Sequence, residues 1–409
     1  MKKHRFHLLG LPHTSTNRDY SACAYTQKVL KFVSMMAPRG HEIIHYGNEE
    51  SLRPDSPKEP VGKLCEHVQI FSEAERQSYF GPHDRQKLYT LSWESNAPYW
   101  EQFNERCIRE IKPRIRKGDF ILAITSSQSS PLSAAFPGSA KGDTLFYDSM
   151  TVEYGVGYYG TFSRYCCFES HGHREWIHGM QRHGAHWNGG TWENNCDAVI
   201  PNYFDLDDFV CSSKPESIVK LHETLKGEPY YLFCGRVIDS KGIAIAVEAT
   251  AALGAKLVVA GQGGPTTGSD RIIPFGCAGI EERAWLMKHA VATFAPTMYR
   301  EPFGGVAVEA QICGTPCITT DHGAFVETVG REWRCASHRE FVEAARRAKT
   351  VTTEGRRRIQ HNAAARYSLE AVAPLYERYF DRLYSFWAGG WYEMRDIETI
   401  DINAPRATE

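Results

Sequence analysis

The chain has 409 residues, more than the ~250–300 that one hydrophobic core usually supports, so two domains are expected. Hydrophobic residues make up 42% and charged residues 23%, with a formal net charge of −2, so no global pull toward nucleic acid or anionic membrane is expected. No stretch approaches the ~20 apolar residues of a membrane span, and MKKHRFHLLGLPHTST is a poor signal peptide, so a cytoplasmic location is expected.

Phe6 to Leu9 reads as a strand, followed by the loop GLPHTSTNRDYSA and a helix from about Tyr25 to Met36. Pro38-Arg39-Gly40 ends that helix and HEIIHYG returns as a strand, which makes one βαβ unit of a parallel sheet. From about Ser51 to Gln102 the mix of Pro, Ser and charge predicts helices and long loops. The basic run Arg106 to Lys117 reads as a helix leading into the apolar strand FILAIT. Further strands are expected at Asp143 to Tyr147, Arg164 to Ser170 and Asp197 to Ile200, and PNYFDLDDF closes the first domain.

Near residue 211 a polar connector leads to a second series. Strand YYLFCG, helix KGIAIAVEATAAL, strand AKLVVAG, strand RIIPFG, helix IEERAWLMKHA, strand VATFAP, helix VAVEAQICG and strand PCITT alternate strictly, the pattern of a doubly wound sheet. Helices with an aromatic stripe (Tyr376, Tyr379, Phe380, Tyr384, Trp387) follow, and that stripe reads as core. The expected fold is α/β, with two Rossmann-like domains facing across a cleft, at 1–210 and 211–375. A C-terminal segment, 376–409, packs back toward the first domain. The 12 Cys form no framework expected of a chain this size and read as reduced.

The chemistry concentrates in two segments. In FCGRVIDSKGI a strand ends at Gly235, and Arg236 and Lys241 lie on the turn and at the following helix start. Two cations beside a helix N-terminus at the C-terminal edge of a parallel sheet suit a diphosphate. In EPFGGVAVE, Glu301 and Glu309 flank a Gly-rich turn. Amides from Phe303 through Gly304 and Gly305 to Val306 can meet phosphate or sugar hydroxyls. The helix is expected to begin near Val306, with Glu309 in its first turn as an acceptor for ribose hydroxyls and Glu301 toward the sugar.

The ordered motifs GRVIDSKG, LVVAGQGG, IPFGCAGIEE, EPFGGVAVEA, CGTPCITT and HGAFVET, over roughly Ala198 to Val329, resemble the C-terminal domain of retaining GT-B glycosyltransferases of family four, the "glycosyl transferases group one". That resemblance implies that Arg236 and Lys241 hold the diphosphate and Glu309 the ribose. Glu301 and the Phe303–Gly305 backbone would hold the transferred sugar, with the base near Phe275 and Gly276. It further implies a UDP- or GDP-sugar donor, retention of configuration and no cofactor or metal. The N-terminal half departs from the family pattern. There Glu169 and His171 follow a buried strand where the family often places a histidine facing the sugar, and His171 is expected to be that residue. Asp148, Glu153 and Tyr154 are further cleft candidates. A metal site using Cys166 or Cys167 with the nearby His is the runner-up reading of this segment; it lacks a clean CxxC or HExxH spacing, and no metal residue is assigned. The acceptor stays open among a glycan, a lipid-linked sugar, a protein and a hydroxymethylated base in DNA, and the oligomeric state is not specified. A sugar-nucleotide epimerase and a non-catalytic sugar-nucleotide-binding module are the other readings.

Overall fold

The computed structural model describes residues 2–52, 60–87, 91–136, 149–163, 165–184, 196–211, 214–263 and 269–389. The strand expected at 143–147, Asp148, and the tail after Trp391 lie outside them.

The N-terminal sheet is built from β1 (Arg5–Leu9), β2 (Glu42–Gly47), β3 (Glu66–Gln69), β4 (Asp119–Ala123), β5 (Ser149–Val156), β6 (Tyr165–Phe168) and β7 (Ala198–Val199). All pairings are parallel, in the order β3-β2-β1-β4-β5-β6-β7. The helices between them are α1 (Ala24–Met36), α2 (Glu73–Phe80), α3 (Pro98–Ile111), α4 (Ser126–Ala135) and α5 (His171–Gly184). β3 lies in the stretch expected to hold only helices and loops, and β5 was not anticipated. The helix expected at Arg106 to Lys117 instead runs from Pro98 to Ile111. Pro98 suits its first turn, while Pro113 has no N–H to continue it.

The C-terminal sheet contains β8 (Tyr230–Cys234), β9 (Lys256–Ala260), β10 (Ile272–Gly276), β11 (Thr293–Ala295), β12 (Cys317–Thr320) and β13 (Arg334–Cys335). It is also all parallel, in the order β10-β9-β8-β11-β12-β13. Around it stand α6 (Glu216–Leu225), α7 (Ile243–Ala251), α8 (Ile280–His289), α9 (Gly305–Ile312), α10 (Phe325–Thr328), α11 (His338–Ala348) and α12 (Thr353–Tyr367). The polar connector after residue 211 thus contains a helix, whose Ile218, Leu221 and Leu225 enter the C-terminal core. Strands such as β4 and β9 are buried along their whole length because helices cover both sheet faces.

Both sheets reverse winding direction between their first and fourth strands: β1 and β4 in one, β8 and β11 in the other. A doubly wound sheet leaves a ligand crevice at the carboxyl ends of its strands at such a switch point. Two crevices therefore face each other.

The last helix, α13 (Leu369–Gly389), returns to the N-terminal domain. Val372, Ala373, Tyr376, Tyr379, Phe380 and Leu383 join the N-terminal core against α1, so the crossing begins at residue 369 rather than at 376. The chain passes between the domains at two places that touch. The Phe204 amide donates to the Tyr367 carbonyl at 2.8 Å, and the Leu369 amide to the Phe204 carbonyl at 3.1 Å.

Candidate functional site

A cavity of about 670 Å³ opens between the two sheets. Its C-terminal wall starts with Gly235, directly after β8. Gly235 has φ +142°, and a Cβ built there would meet nothing within 4 Å, so the space over this backbone is open to a ligand. Arg236 follows, exposed, and lines the same cavity. Lys241 reaches in from the start of the next helical segment. Its Nζ lies 2.9 Å from Oε2 and 3.2 Å from Oε1 of Glu301. Burial opposes the Lys241 charge, but Glu301 and Tyr299 more than offset it, so its pKa lies above the ordinary lysine value.

The turn before α9 forms the cavity floor. Gly304 has φ +81°, and a Cβ there would come within 2.4 Å of the Phe325 ring, so only glycine fits. This residue caps α9, which begins at Gly305, one residue earlier than expected. Phe303 is buried between Phe204 and Tyr367 and holds the turn in place. Glu301, Phe303, Gly304, Gly305, Val306 and Glu309 all line the cavity. The first amides of α9 lie at this turn beside the cavity, and a helix N-terminus of this kind favours negative charge. Glu309 lies in the second turn and not the first.

Glu309 also has a partner that sequence reasoning missed. Arg283 of α8 faces its carboxylate, with Nε 2.9 Å from Oε2 and Nη2 3.2 Å from Oε1. Burial opposes the Arg283 charge, and the Glu309 carboxylate more than restores it. The signal in the sequence was faint: an Arg in the IEERAWLMKHA helix among four other acidic or basic residues, Glu281, Glu282, Lys288 and His289.

The N-terminal wall carries a second buried pair. Lys28 of α1 contacts Glu169, the residue after β6, and donates to the Gly155 carbonyl at 3.2 Å. Burial pushes the Lys28 ammonium down to about 7. One turn along α1, Lys31 lies 3.9 Å from Asp208 and over the Phe204 ring. Both lysines line the cavity. Two lysines three apart in the apolar helix AYTQKVLKFVSMM were a readable signal, since buried lysines are rare without a partner or task.

His171 does not face the cavity. It opens α5 with its side chain exposed, and its amide, with that of Gly172, donates to the carboxylate of Glu327 across the domain interface at 3.0 and 2.8 Å. One helical step places His173 inward instead. It is buried, lines the cavity, and its Nε2 lies 3.2 Å from the Tyr158 carbonyl. Burial lowers its pKa to about 4. Phe275 likewise packs against the C-terminal core, and Cys277 and Ala278 form the wall there. Glu153 is fully buried under Tyr158, with Oε2 accepting the amides of Phe162 and Ser163, and Tyr154 belongs to the N-terminal core. Neither is a cleft group.

Two facing, all-parallel sheets with the return helix and interdomain cleft define the GT-B fold. Residues 228–351 match the family model described as "Glycosyl transferases group 1". A glycosyltransferase from Rickettsia africae superposes with a TM-score of 0.62 at 14% identity, covering 94% of this chain and 99% of that one. A sucrose-phosphate synthase from Thermosynechococcus elongatus gives 0.61 at 18%, covering 94% and 100%. The Anabaena protein HepE, solved in complex with UDP and glucose, gives 0.61 at 14%, covering 93% and 100%. No curated protein matches in sequence. Residues 228–351 are thus similar to a group 1 glycosyltransferase domain, and the chain as a whole has the fold of these structures.

Proposed function

We propose that the protein transfers a sugar from a UDP- or GDP-linked donor to a hydroxyl acceptor, with retention of configuration and without a metal ion. The observation that carries this reading is the convergence of Arg236, Lys241, Glu301, the α9 N-terminus and the Arg283–Glu309 pair on one cavity. HepE, of similar fold, binds UDP and glucose, which supports a nucleoside-diphosphate donor of that kind.

In this reading Arg236, Lys241 and the first amides of α9 take the negative charge that grows on the departing diphosphate. Glu309, oriented by Arg283, accepts the ribose hydroxyls. Glu301 accepts sugar hydroxyls. The acceptor oxygen attacks the face the diphosphate leaves, and its proton passes to a departing phosphate oxygen. Lys28, Glu169 and His173 close the opposite wall and help exclude water.

Nucleotide release from a panel of UDP- and GDP-sugars, in the presence of EDTA and of candidate acceptors, tests the reading. Arg236→Ala and Lys241→Ala should each lose most of the transfer while remaining folded. Near-normal rates in both variants would remove the diphosphate assignment. Loss in EDTA that added metal restores would place the enzyme in a metal-dependent class. Acceptor-independent isomerisation of the donor would identify an epimerase.

A further inference from the structure

A second cavity, of about 880 Å³, adjoins the first and lies almost wholly in the N-terminal domain. Tyr25, Gly157, Tyr159, Arg236 and Gln262 line both, so a molecule held in the second reaches the diphosphate end of the first. Its volume is that of a small-molecule site, commonly ~300–1,000 Å³, and not of an open polymer groove.

The wall has three properties. It is aromatic: of the four aromatic side chains left exposed among the described residues (Tyr79, Trp93, Tyr159 and Phe162), three line this one cavity. Clustered exposed apolar side chains of this kind mark binding surfaces. It offers unspent polar groups: Oγ1 of Thr125 and Nδ1 of His13 are buried with no hydrogen-bond partner among the described residues, and both residues line the cavity. Buried polar atoms are mostly paired, so these two leave bonding capacity in the wall for hydroxyls of a ligand. Its cations are committed and its remaining charge is acidic: Arg236 is the cation assigned to the diphosphate, and Asp84 and Glu94 add carboxylates to the wall. Arg76 is held by both carboxylate oxygens of Glu73 at 2.8 and 2.7 Å, and Arg85 lies 3.5 Å from Glu282.

The basic run Arg106 to Lys117 does not supply the missing charge. None of it lines the cavity, and Arg106, Arg114 and Arg116 are paired with Glu75, Glu110 and Glu42.

We propose that this cavity is the acceptor site and that the acceptor is a neutral glycoside, its ring stacked by C–H groups on Trp93 and Phe162 and its hydroxyls bonded to Thr125 and His13. Aromatic faces carry the negative side of a ring quadrupole and attract the weakly positive C–H groups of a pyranose ring. The proposal rests on the glycosyltransferase reading above, and it removes nucleic acid and anionic lipid-linked sugars from the acceptor list.

Saturation-transfer NMR and calorimetry on the whole chain test it in two stages. UDP and GDP are titrated first, since failure of both to bind overturns the donor reading itself. With the bound nucleotide present, methyl and p-nitrophenyl hexopyranosides and a short DNA duplex follow. Methyl glycosides should bind saturably, and Trp93→Ala and Phe162→Ala should each weaken them about tenfold while nucleotide affinity stays within twofold. Phe162, 46% exposed, guards against a folding defect in the Trp93 variant. Nucleotide binding with no glycoside binding overturns the acceptor assignment alone. So does glycoside binding indifferent to both variants, binding of p-nitrophenyl but not methyl glycosides, or salt-sensitive binding of the duplex in this cavity.

Discussion

The ammonium of Lys241 lies 2.9 Å from Oε2 of Glu301, so the cation assigned to the diphosphate shares its charge with the carboxylate assigned to the sugar. In the proposed reading, binding a donor exchanges one anion for another at Lys241 and frees Glu301 to accept hydroxyls. Glu301→Gln removes the competitor. It is expected to lower transfer about 100-fold, as loss of one transition-state contact does, while UDP or GDP binds at least as tightly as to the parent chain. Calorimetry and product assays read the two effects separately. A parallel loss of nucleotide affinity would contradict the exchange.

Arg283 and Glu309 form a mostly buried pair, so removing one member strands the other. Arg283→Met should cost about 3 kcal/mol of stability, the low end for buried pairs because both side chains keep slight exposure. Nucleotide affinity should fall about tenfold. A thermal melt unchanged by the substitution would show that Glu309 does not depend on Arg283.

The Lys28–Glu169 pair lends itself to a double-mutant cycle. Glu169→Gln leaves an ammonium in a site where burial already presses its pKa down to about 7, and should cost about 3 kcal/mol. Adding Lys28→Met should recover part of that loss. If the double variant is less stable than the sum of the single ones, the pair is not acting as mutual compensation.

Burial holds His67 and His173 at pKa values of about 4, below the ordinary 6.5. A histidine depressed in the folded state contributes stability that is fully present above pH 6.5 and is lost as pH falls through the folded value. The melting temperature should therefore drop by several degrees between pH 6.5 and about pH 4. His67→Asn should flatten that slope. A melt independent of pH over the window would mean that both rings are protonated in the fold.

Glu327 accepts two amides at the start of α5 from across the domain interface. Glu327→Ala should let the amides of His171 and Gly172 exchange with deuterium about tenfold faster, since each loses its acceptor. Unchanged exchange would show the domains are held elsewhere.

The C-terminal site was largely legible in the sequence because its parts are local. Gly235, Arg236, Lys241 and the segment from Glu301 to Glu309 each occupy one strand–turn–helix unit, where spacing along the chain is also spacing in the cavity. Arg283 was not legible, since α8 and α9 meet only through packing. The same holds for Lys28 against Glu169, which lie 141 residues apart. His171 and His173 carry the same chemistry two residues apart, and only the helical phase of α5 decides which one turns inward. The strand β5 was missed because its sequence, SMTVEYGV, mixes polar and apolar residues, although every position is buried.

The paired crossings at Phe204 and Tyr367–Leu369 behave like a two-ply tape between the halves. Such a tape bends across its flat side but resists shear along its length. The crossing lies at Phe204, whose ring also packs on Phe303 under the α9 turn, so a movement of the halves about this crossing would be felt at that turn. A rotation there would lift the N-terminal wall and pull on the turn proposed to hold the phosphate, so access path and anion grip would share one pivot.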